Sequence, residues 1–282
     1  MNRVKTWVLI AALGGLFVAI GGLIGGRGGA TIALVLAFVF NFAMYWWSDK
    51  IAIASTRSKP VSESEQPELY AIVRELAAEK QVPMPKIYVS DMDQPNAFAT
   101  GRNEHHAAVS VTRGLLEMVD RRELRGVLAH ELSHVLNHDI LINSVAAAIG
   151  TAISYLAMMV FWFGGSDDND SPLGAVGAIL LWLLAPIAAG IIQMAISRSR
   201  ELQADESGAY LSHDPEALAS ALAKLEETAK RIPARVAPSQ AHLFIVNPLA
   251  GLKGGVAGLF STHPPTAERI RRLHELATRV PA

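Results

Sequence analysis

The sequence predicts a mainly α-helical, membrane-embedded protein with four transmembrane helices and a polar α+β domain that contains a small antiparallel sheet. Two observations support this fold class. Of the 282 residues, 51% are hydrophobic and 18% are charged, with a mean hydropathy of +0.27, a composition too apolar for an ordinary soluble domain of this size. The apolar residues are also concentrated in long charge-free runs, which alternate with polar segments of helical or strand-like spacing.

Four apolar runs approach the roughly 20 residues that a helix needs to cross a hydrocarbon core about 30 Å thick. The first two are separated by Arg27 within a glycine-rich turn, which indicates a tight helical hairpin. The third and fourth contain a few polar residues, so a buried soluble hairpin is the alternative for this pair. The four predicted spans are 6–26, 28–48, 140–166 and 171–197.

The lysine and arginine residues beside these spans predict the orientation of the chain. Such residues are enriched on the cytoplasmic side of a membrane. One side of the predicted bundle carries most of them, whereas the other side has Arg27 and the acidic loop 167–170. We therefore expect a multi-pass protein of the cell (inner) membrane with both termini in the cytosol. The residues on the expected cytosolic side are Arg3, Lys5, Lys50, Arg57, Lys59, Arg198 and Arg200.

The predicted spans divide the chain into four parts. We expect one membrane hairpin at 1–48, with its first run retained as a signal anchor, and a second hairpin at 140–197. Because the spans return the chain to the same side twice, the polar segments 49–139 and 198–282 are expected to meet in the cytosol and to form one domain.

The first polar segment has the spacing of a helix followed by short strands. Apolar residues at helical spacing predict an amphipathic helix over 65–80, which Pro83 and Pro85 end. Short β-prone runs separated by turn residues predict the antiparallel sheet, with a hairpin turn at 101–104. These runs are 87–90, 97–101 and 107–112.

Further helices are predicted on both sides of the second hairpin. One resumes at Thr112 or Gly114, and another begins near Arg121 and continues into a histidine-rich stretch. Residues 232–262 are rich in Pro, Gly and Ala and are expected to form a lid or a linker. The helices predicted after the fourth span cover 200–211, 215–231 and 265–278.

Residues 130–134 read His-Glu-Leu-Ser-His, a pattern typical of zinc peptidases. Two imidazoles four residues apart lie on one face of a helix, so His130 and His134 can bind one metal ion. Glu131 would lie beside that ion, where it can take a proton from the attacking water and pass it to the leaving amine. The pattern predicts one Zn²⁺ per chain. Two surface histidines are the alternative, which the flanking apolar residues disfavour.

A catalytic zinc ion needs a third protein ligand, and the chain has no cysteine to provide it. His138 lies two helical turns and about 12 Å from His130, too far to close on the same ion. Glu201 begins a helix directly after the fourth span, which returns the chain to the correct side. Asp205, one turn later, can accept a ring N–H of a ligating histidine. On spacing alone, the alternatives to Glu201 are Glu206, Glu216 and Asp139.

Four stretches of the chain together resemble the HtpX family of membrane-bound zinc metalloproteases, which is related to the CAAX prenyl proteases. They are NAFATG, HELSHVLNHD, SRSRELQADESGA and STHPPTAERI, and the resemblance covers nearly the whole chain. It implies a zincin-like protease domain in which Glu201 is the third zinc ligand and Asp205 supports a histidine. The role of His138 stays open.

The resemblance also implies roles that the residues alone do not indicate. By sequence alone His263, before two prolines, is an ordinary residue at a helix N-terminus, but the family implies that it donates to the oxyanion of the tetrahedral intermediate. By sequence alone 96–99 is a plain edge strand, but the family implies that it pairs with the substrate backbone. This strand consists of Asn96, Ala97, Phe98 and Ala99.

The function expected from the resemblance is cleavage of membrane proteins or unfolded proteins in quality control under heat or envelope stress, and self-cleavage would fit. CAAX-type processing of prenylated peptides is an alternative, which four spans disfavour because they leave little room for an intramembrane chamber. An inactive metal-binding scaffold is a second alternative, against which Glu131 argues. A net charge of −1 and the lack of a phosphate-binding loop argue against nucleic acid as a partner, and uncharged spans argue against a transporter.

Overall fold

The computed structural model describes residues 52–137, 139, 198–231, 244–246 and 264–280, together with scattered positions between 28 and 50. The chain divides into two compact units, Met1–Tyr45 with Leu141–Ile196, and Trp46–Ile140 with Ser197–Ala282. Three of the four predicted spans lie outside the described residues, as do most of the second span and most of the predicted lid. Within the described part of the chain, no helix combines the length and the apolar character needed to cross a membrane. All elements below belong to the second unit.

A four-stranded mixed sheet has the strand order β1-β2-β4-β3. β1 (Lys59–Pro60) is antiparallel to β2 (Lys86–Ser90), and β3 (Ala97–Thr100) is antiparallel to β4 (Ala108–Thr112). The central pair of β2 and β4 is parallel, so the prediction of a purely antiparallel sheet is wrong. The reason is that β3 runs along the outer edge before the chain turns back, which brings β4 in beside β2 in the same direction.

The turn predicted at 101–104 joins β3 to β4. Gly101 has a φ of +132°, and a Cβ at this position would lie 2.1 Å from the carbonyl oxygen of His106. A side chain is therefore excluded here. A short 3₁₀ helix, Glu104–His106, follows and leaves the imidazoles of its two histidines exposed.

The predicted helices of the polar segments are present, with small shifts at their ends. The long helix with the histidine motif begins at a capping box, in which Asp120 accepts from the N–H of Glu123 at 2.9 Å and Glu123 accepts from the N–H of Asp120 at 2.9 Å. In chain order, the helices are α1 (Pro67–Glu79), α2 (Arg113–Met118), α3 (Arg121–Leu136), α4 (198–212), α5 (Pro215–Arg231) and α6 (Thr266–Ala277).

Helices α3 and α4 approach closely at the histidine motif. Gly208 of α4 faces α3, and a Cβ there would lie 2.8 Å from both the backbone nitrogen and the Cα of His130. The neighbouring side chains of Val127 and Leu128 on α3 are completely buried in the core. The close contact brings the first turns of α4 beside the two histidines of α3.

Candidate functional site

Three side chains from α3 and α4 converge on one point. The Nε2 atoms of His130 and His134 are 3.2 Å apart, and carboxylate oxygens of Glu201 lie 3.7 Å and 3.5 Å from them. A tetrahedral ion with bonds of about 2.0–2.1 Å holds its ligand atoms about 3.3 Å apart. Two imidazole nitrogens and a carboxylate are also a donor set that catalytic zinc uses, with a fourth position left open. These three residues therefore fit a zinc ion.

Glu131 lies beside this group and is buried. Its Oε2 accepts a hydrogen bond from the backbone N–H of Ala99 at 3.0 Å, while its Oε1 is 4.0 Å from Nε2 of His130. Burial raises the pKa of Glu131, and the charge of Glu201 adds to the shift, although the two histidines oppose it. A carboxylate held in this way has one oxygen fixed by β3 and the other directed toward the metal-binding group.

The other ring nitrogen of His130 faces a buried ion pair. Nδ1 of His130 is 3.0 Å from Oδ1 of Asp205, and Arg269 donates from Nη2 and Nε to both carboxylate oxygens at 2.7 and 2.8 Å. Burial by itself would raise the pKa of Asp205, but the Arg269 guanidinium outweighs it and holds this pKa at about 2. Asp205 is therefore a buried carboxylate beside Nδ1 of His130, the position from which the predicted support of a ligating histidine would act.

The ring of His134 is held in a comparable way. Its Nδ1 is 3.0 Å from Oδ2 of the buried Asp139, and Arg200 donates to the main-chain oxygen of Asp139 at 2.6 Å. Burial lowers the pKa of His134, but the hydrogen bond to Asp139 and the charges of Glu201 and Glu131 outweigh it and raise this pKa to about 9. Asp139 thus contacts the side of the imidazole that faces away from Glu201.

The strand predicted to bind substrate has its outer backbone groups next to the site. The N–H of Thr112 donates to the oxygen of Asn96 at 2.9 Å, so Asn96 faces β4. Backbone groups alternate in direction along a strand, so those of Ala97 and Ala99 face away from β4. The hydrogen bond from Ala99 to Glu131 agrees with this register. The outer edge of β3 therefore leads directly to the carboxylate beside the metal-binding group.

The alternatives to Glu201 lie elsewhere. Glu206 is exposed, Glu216 is 2.9 Å from Nδ1 of His274 on α6, and Asp139 is on the far side of His134. Among the described residues, the group able to hold a metal ion consists of His130, His134 and Glu201. Two other predicted residues, His138 and His263, lie outside the part of the chain that the structure describes.

Sequence reasoning missed Arg269 and Arg200. Arg269 is 1% exposed, and its Nη1 donates to the oxygen of Ile245 at 2.9 Å. The signal in the sequence was its spacing, because Arg269 lies four residues before the fully buried Leu273 and so shares the apolar face of α6. A charged residue on the buried face of a helix indicates a buried partner.

Comparison with known proteins identifies a peptidase family. Residues 63–277 match the model of Peptidase family M48. A Protease HtpX homolog of Burkholderia thailandensis is 51% identical over 279 residues, which cover 98% of this chain and 97% of that protein. A Protease HtpX homolog of Burkholderia mallei has the same identity and coverage.

The structure is also similar to the crystal structure of S. mikatae Ste24p, with a TM-score of 0.60 at 22% identity. The similarity covers 96% of this chain and 67% of that one, and it concerns the fold. Together with the sequence matches, it confirms the resemblance that the four motifs indicated. The chain belongs to peptidase family M48 and, within it, to the HtpX group of metalloproteases.

Proposed function

We propose that this metalloprotease is a zinc-dependent endopeptidase of the cell membrane, which cleaves unfolded and membrane-inserted proteins on the cytosolic side. The observation that carries the proposal is the convergence of His130, His134 and Glu201 beside the buried Glu131. This arrangement provides three metal ligands and a separate carboxylate for proton transfer, which are the parts that peptide hydrolysis by a metalloprotease requires.

Glu131 is the residue that moves the proton. A zinc ion held by the three ligands would supply Lewis-acid polarisation of the scissile carbonyl and of the attacking water. Oε1 of Glu131 takes the proton of that water and returns it to the leaving nitrogen, while the N–H of Ala99 holds Oε2 in place. His263 is proposed as the donor to the oxyanion, and this role rests on the family resemblance.

The substrate is proposed to bind as an extended segment along β3. The outward backbone groups of Ala97 and the outward carbonyl of Ala99 can pair with a peptide in the manner of an added strand, while the N–H of Ala99 stays bonded to Glu131. A peptide must be extended to pair in this way, so an unfolded or locally melted chain is favoured over a folded one. The identity of the substrate proteins and a role in quality control under stress are part of this proposal.

Placement in the membrane is supported by the apolar runs and by the residues at the end of the second run. Trp46 and Trp47 are 45% and 47% exposed, as aromatic residues of a membrane interface would be in the absence of lipid. The guanidinium carbon of Arg102 lies 4.2 Å from the centre of the Trp46 ring. Arg102 lies two residues after the end of β3, so this contact would keep the end of the substrate strand near the membrane surface.

Processing of prenylated CAAX-type peptides is the second candidate, because the chain shares its fold with Ste24p. One experiment separates the two candidates. The full-length chain, purified in detergent and loaded with zinc, is given an unfolded soluble protein, a membrane protein and a prenylated peptide, with the Glu131→Gln variant as the blank. Cleavage of the two proteins is expected. Cleavage of the prenylated peptide alone would favour the second candidate, and no cleavage of any substrate would favour the inactive scaffold.

A further inference from the structure

Asp139 lies just beyond the end of α3, and this position determines what its side chain can reach. The helix ends at Leu136, with Asn137 as its cap. Had the helix continued, Asp139 would lie five residues from His134 and about 140° away around the helix axis. The end of the helix instead lets Asp139 fold back, so that its Oδ2 lies 3.0 Å from Nδ1 of His134. The helix end therefore creates the contact.

Arg200 fixes Asp139 in this orientation. Its Nη1 donates to the main-chain oxygen of Asp139 at 2.6 Å and lies 3.7 Å from Oδ1 of the same residue. Arg200 is 7% exposed and Asp139 is 1% exposed, so the two opposite charges are buried together. Arg200 also precedes Glu201 directly in α4, so the same turn of helix supplies a predicted metal ligand and the arginine that holds Asp139.

The arrangement repeats the one on the other histidine. His130 is backed by Asp205 and then by Arg269, and His134 is backed by Asp139 and then by Arg200. Carboxylates that hold the second nitrogen of a ligating imidazole fix its tautomer and its direction. The family resemblance implied this role for Asp205, whereas sequence spacing considered Asp139 as an alternative metal ligand.

The pair also has a particular place in the chain. Asp139 directly precedes the predicted membrane hairpin 140–197, and Arg200 follows it within three residues. We propose that Asp139 and Arg200 are a positioning pair for His134, which makes the metal-binding geometry depend on the two ends of this hairpin segment being held together. The proposal rests on the proposed metal site.

The test uses the full-length chain in detergent and measures zinc affinity by competition with a chromophoric chelator. Asp139→Asn is expected to weaken zinc binding about 10- to 100-fold, the usual effect of removing such a carboxylate. Arg200→Gln is expected to weaken it as well, and Arg200→Lys to restore part of the loss. If the two residues act as a pair, the effects of Asp139→Asn and Arg200→Gln are less than additive in the double variant.

Glu123→Gln is the matched control, because Glu123 is a buried carboxylate on the same helix that binds Lys224 and Ser220 and not a histidine. It is expected to lower the unfolding temperature and to leave zinc affinity unchanged. The absorption spectrum of bound Co²⁺ provides a second measurement, and Asp139→Asn is expected to change it while Glu123→Gln does not. If Asp139→Asn does not fold, Arg200→Gln and Arg200→Lys carry the same test.

Failure of the proposed metal site and failure of the positioning pair give different results. If the native chain and His134→Ala bind zinc equally well, the proposed metal site is wrong. If His134→Ala loses zinc but the Asp139 and Arg200 variants keep native affinity and a native Co²⁺ spectrum, the metal site stands and the positioning pair is overturned. Strictly additive effects in the double variant would also overturn the pair, because each residue would then act independently.

Discussion

The backbone N–H of Ala99 donates to Oε2 of Glu131 over 3.0 Å, so the edge of the sheet holds the carboxylate that is proposed to transfer the proton. Glu131 has its other oxygen near Nε2 of His130. The strand proposed to bind substrate and the carboxylate proposed to transfer the proton are thus one hydrogen bond apart, and a change in the position of β3 would move Glu131 as well.

Ala99→Pro should lower kcat about 100-fold with zinc content unchanged. Proline removes the donor to Glu131, but it leaves the ladder to β4 intact because this N–H faces away from β4. A misplaced catalytic group typically has an effect of this size. Ala97→Pro is the comparison, since its N–H also faces outward, and it should raise KM instead. A native kcat in Ala99→Pro would mean that the hydrogen bond does not position Glu131.

Glu131→Gln should reduce peptide hydrolysis by two to four orders of magnitude and keep zinc bound. The amide preserves the shape of the side chain and removes the base. His130→Ala and His134→Ala, by contrast, should lose the metal together with activity. Rates on an unfolded protein and elemental analysis of each variant separate these outcomes. Retention of more than about a tenth of the native rate, with contaminating protease excluded, would show that Glu131 is not the base.

Zinc affinity should fall about tenfold for each pH unit below about 9. The sign of this dependence follows from the pKa of His134. Burial lowers this pKa, but the hydrogen bond to Asp139 and the charges of the nearby carboxylates outweigh burial and raise it to about 9. Below this pH the ring carries a proton that zinc must displace, and above it the affinity should level off. Chelator competition between pH 6.5 and 9.5 measures the dependence. An affinity that stays constant across this range would show that the pKa of His134 is not raised in the metal-free protein.

Arg269→Met should destabilise the chain by about 3–5 kcal/mol, because it leaves the buried carboxylate of Asp205 without its partner. Removing both charges in Asp205→Asn with Arg269→Met should recover part of that loss, but zinc affinity should stay low because His130 is no longer held. Arg271→Met on the same helix is the control, since Arg271 is exposed and pairs with Glu275. The stabilities are compared by unfolding each variant in detergent and monitoring near-ultraviolet circular dichroism. Equal stability of Arg269→Met and the native chain would contradict the prediction.

Sequence reasoning succeeded where the determining contacts are local. The start of α3 follows from a capping box within four residues, and the two histidines follow from helical spacing on that same element. The bounds of α5 were predicted correctly for the same reason, since apolar spacing and a proline at its first position are local signals. The prediction of Glu201 as a ligand needed one further inference, which is that the predicted hairpin 140–197 returns the chain to the side of the histidines.

The features that the sequence did not predict depend on contacts between residues far apart in the chain. The parallel pairing of β2 with β4 depends on which edge β3 takes, and strand composition carries no signal for that choice. Arg269 meets Asp205 across 64 residues, and its spacing marks a buried arginine among the exposed Arg271 and Arg272 without identifying the distant partner. Asp139 was close enough in sequence to be considered a ligand. The end of α3 at Leu136 decides otherwise, because it turns the carboxylate to the far side of His134.

Gly208→Ala should weaken zinc binding as well as stability, because Gly208 sets the distance between the two helices that carry the ligands. A Cβ at this position would lie 2.8 Å from the backbone nitrogen and Cα of His130, and backbone atoms cannot move aside as a flexible side chain can. Helix α4 would shift away from α3, taking Glu201 from the two imidazoles. Overpacking of this kind typically costs about 1–3 kcal/mol.

Gly126→Ala is the matched control for this prediction, because it introduces the same methyl group at another tight contact between helices. Its Cβ would lie 2.9 Å from the backbone nitrogen of Leu218 in α5, a helix that carries no predicted zinc ligand. Both variants should unfold at a lower temperature than the native chain, but the loss of zinc affinity and a changed Co²⁺ spectrum should be confined to Gly208→Ala. If the two variants lose stability equally and both keep native zinc affinity, the spacing of α3 and α4 at Gly208 does not control the metal site, and the ligands must tolerate a displacement of α4.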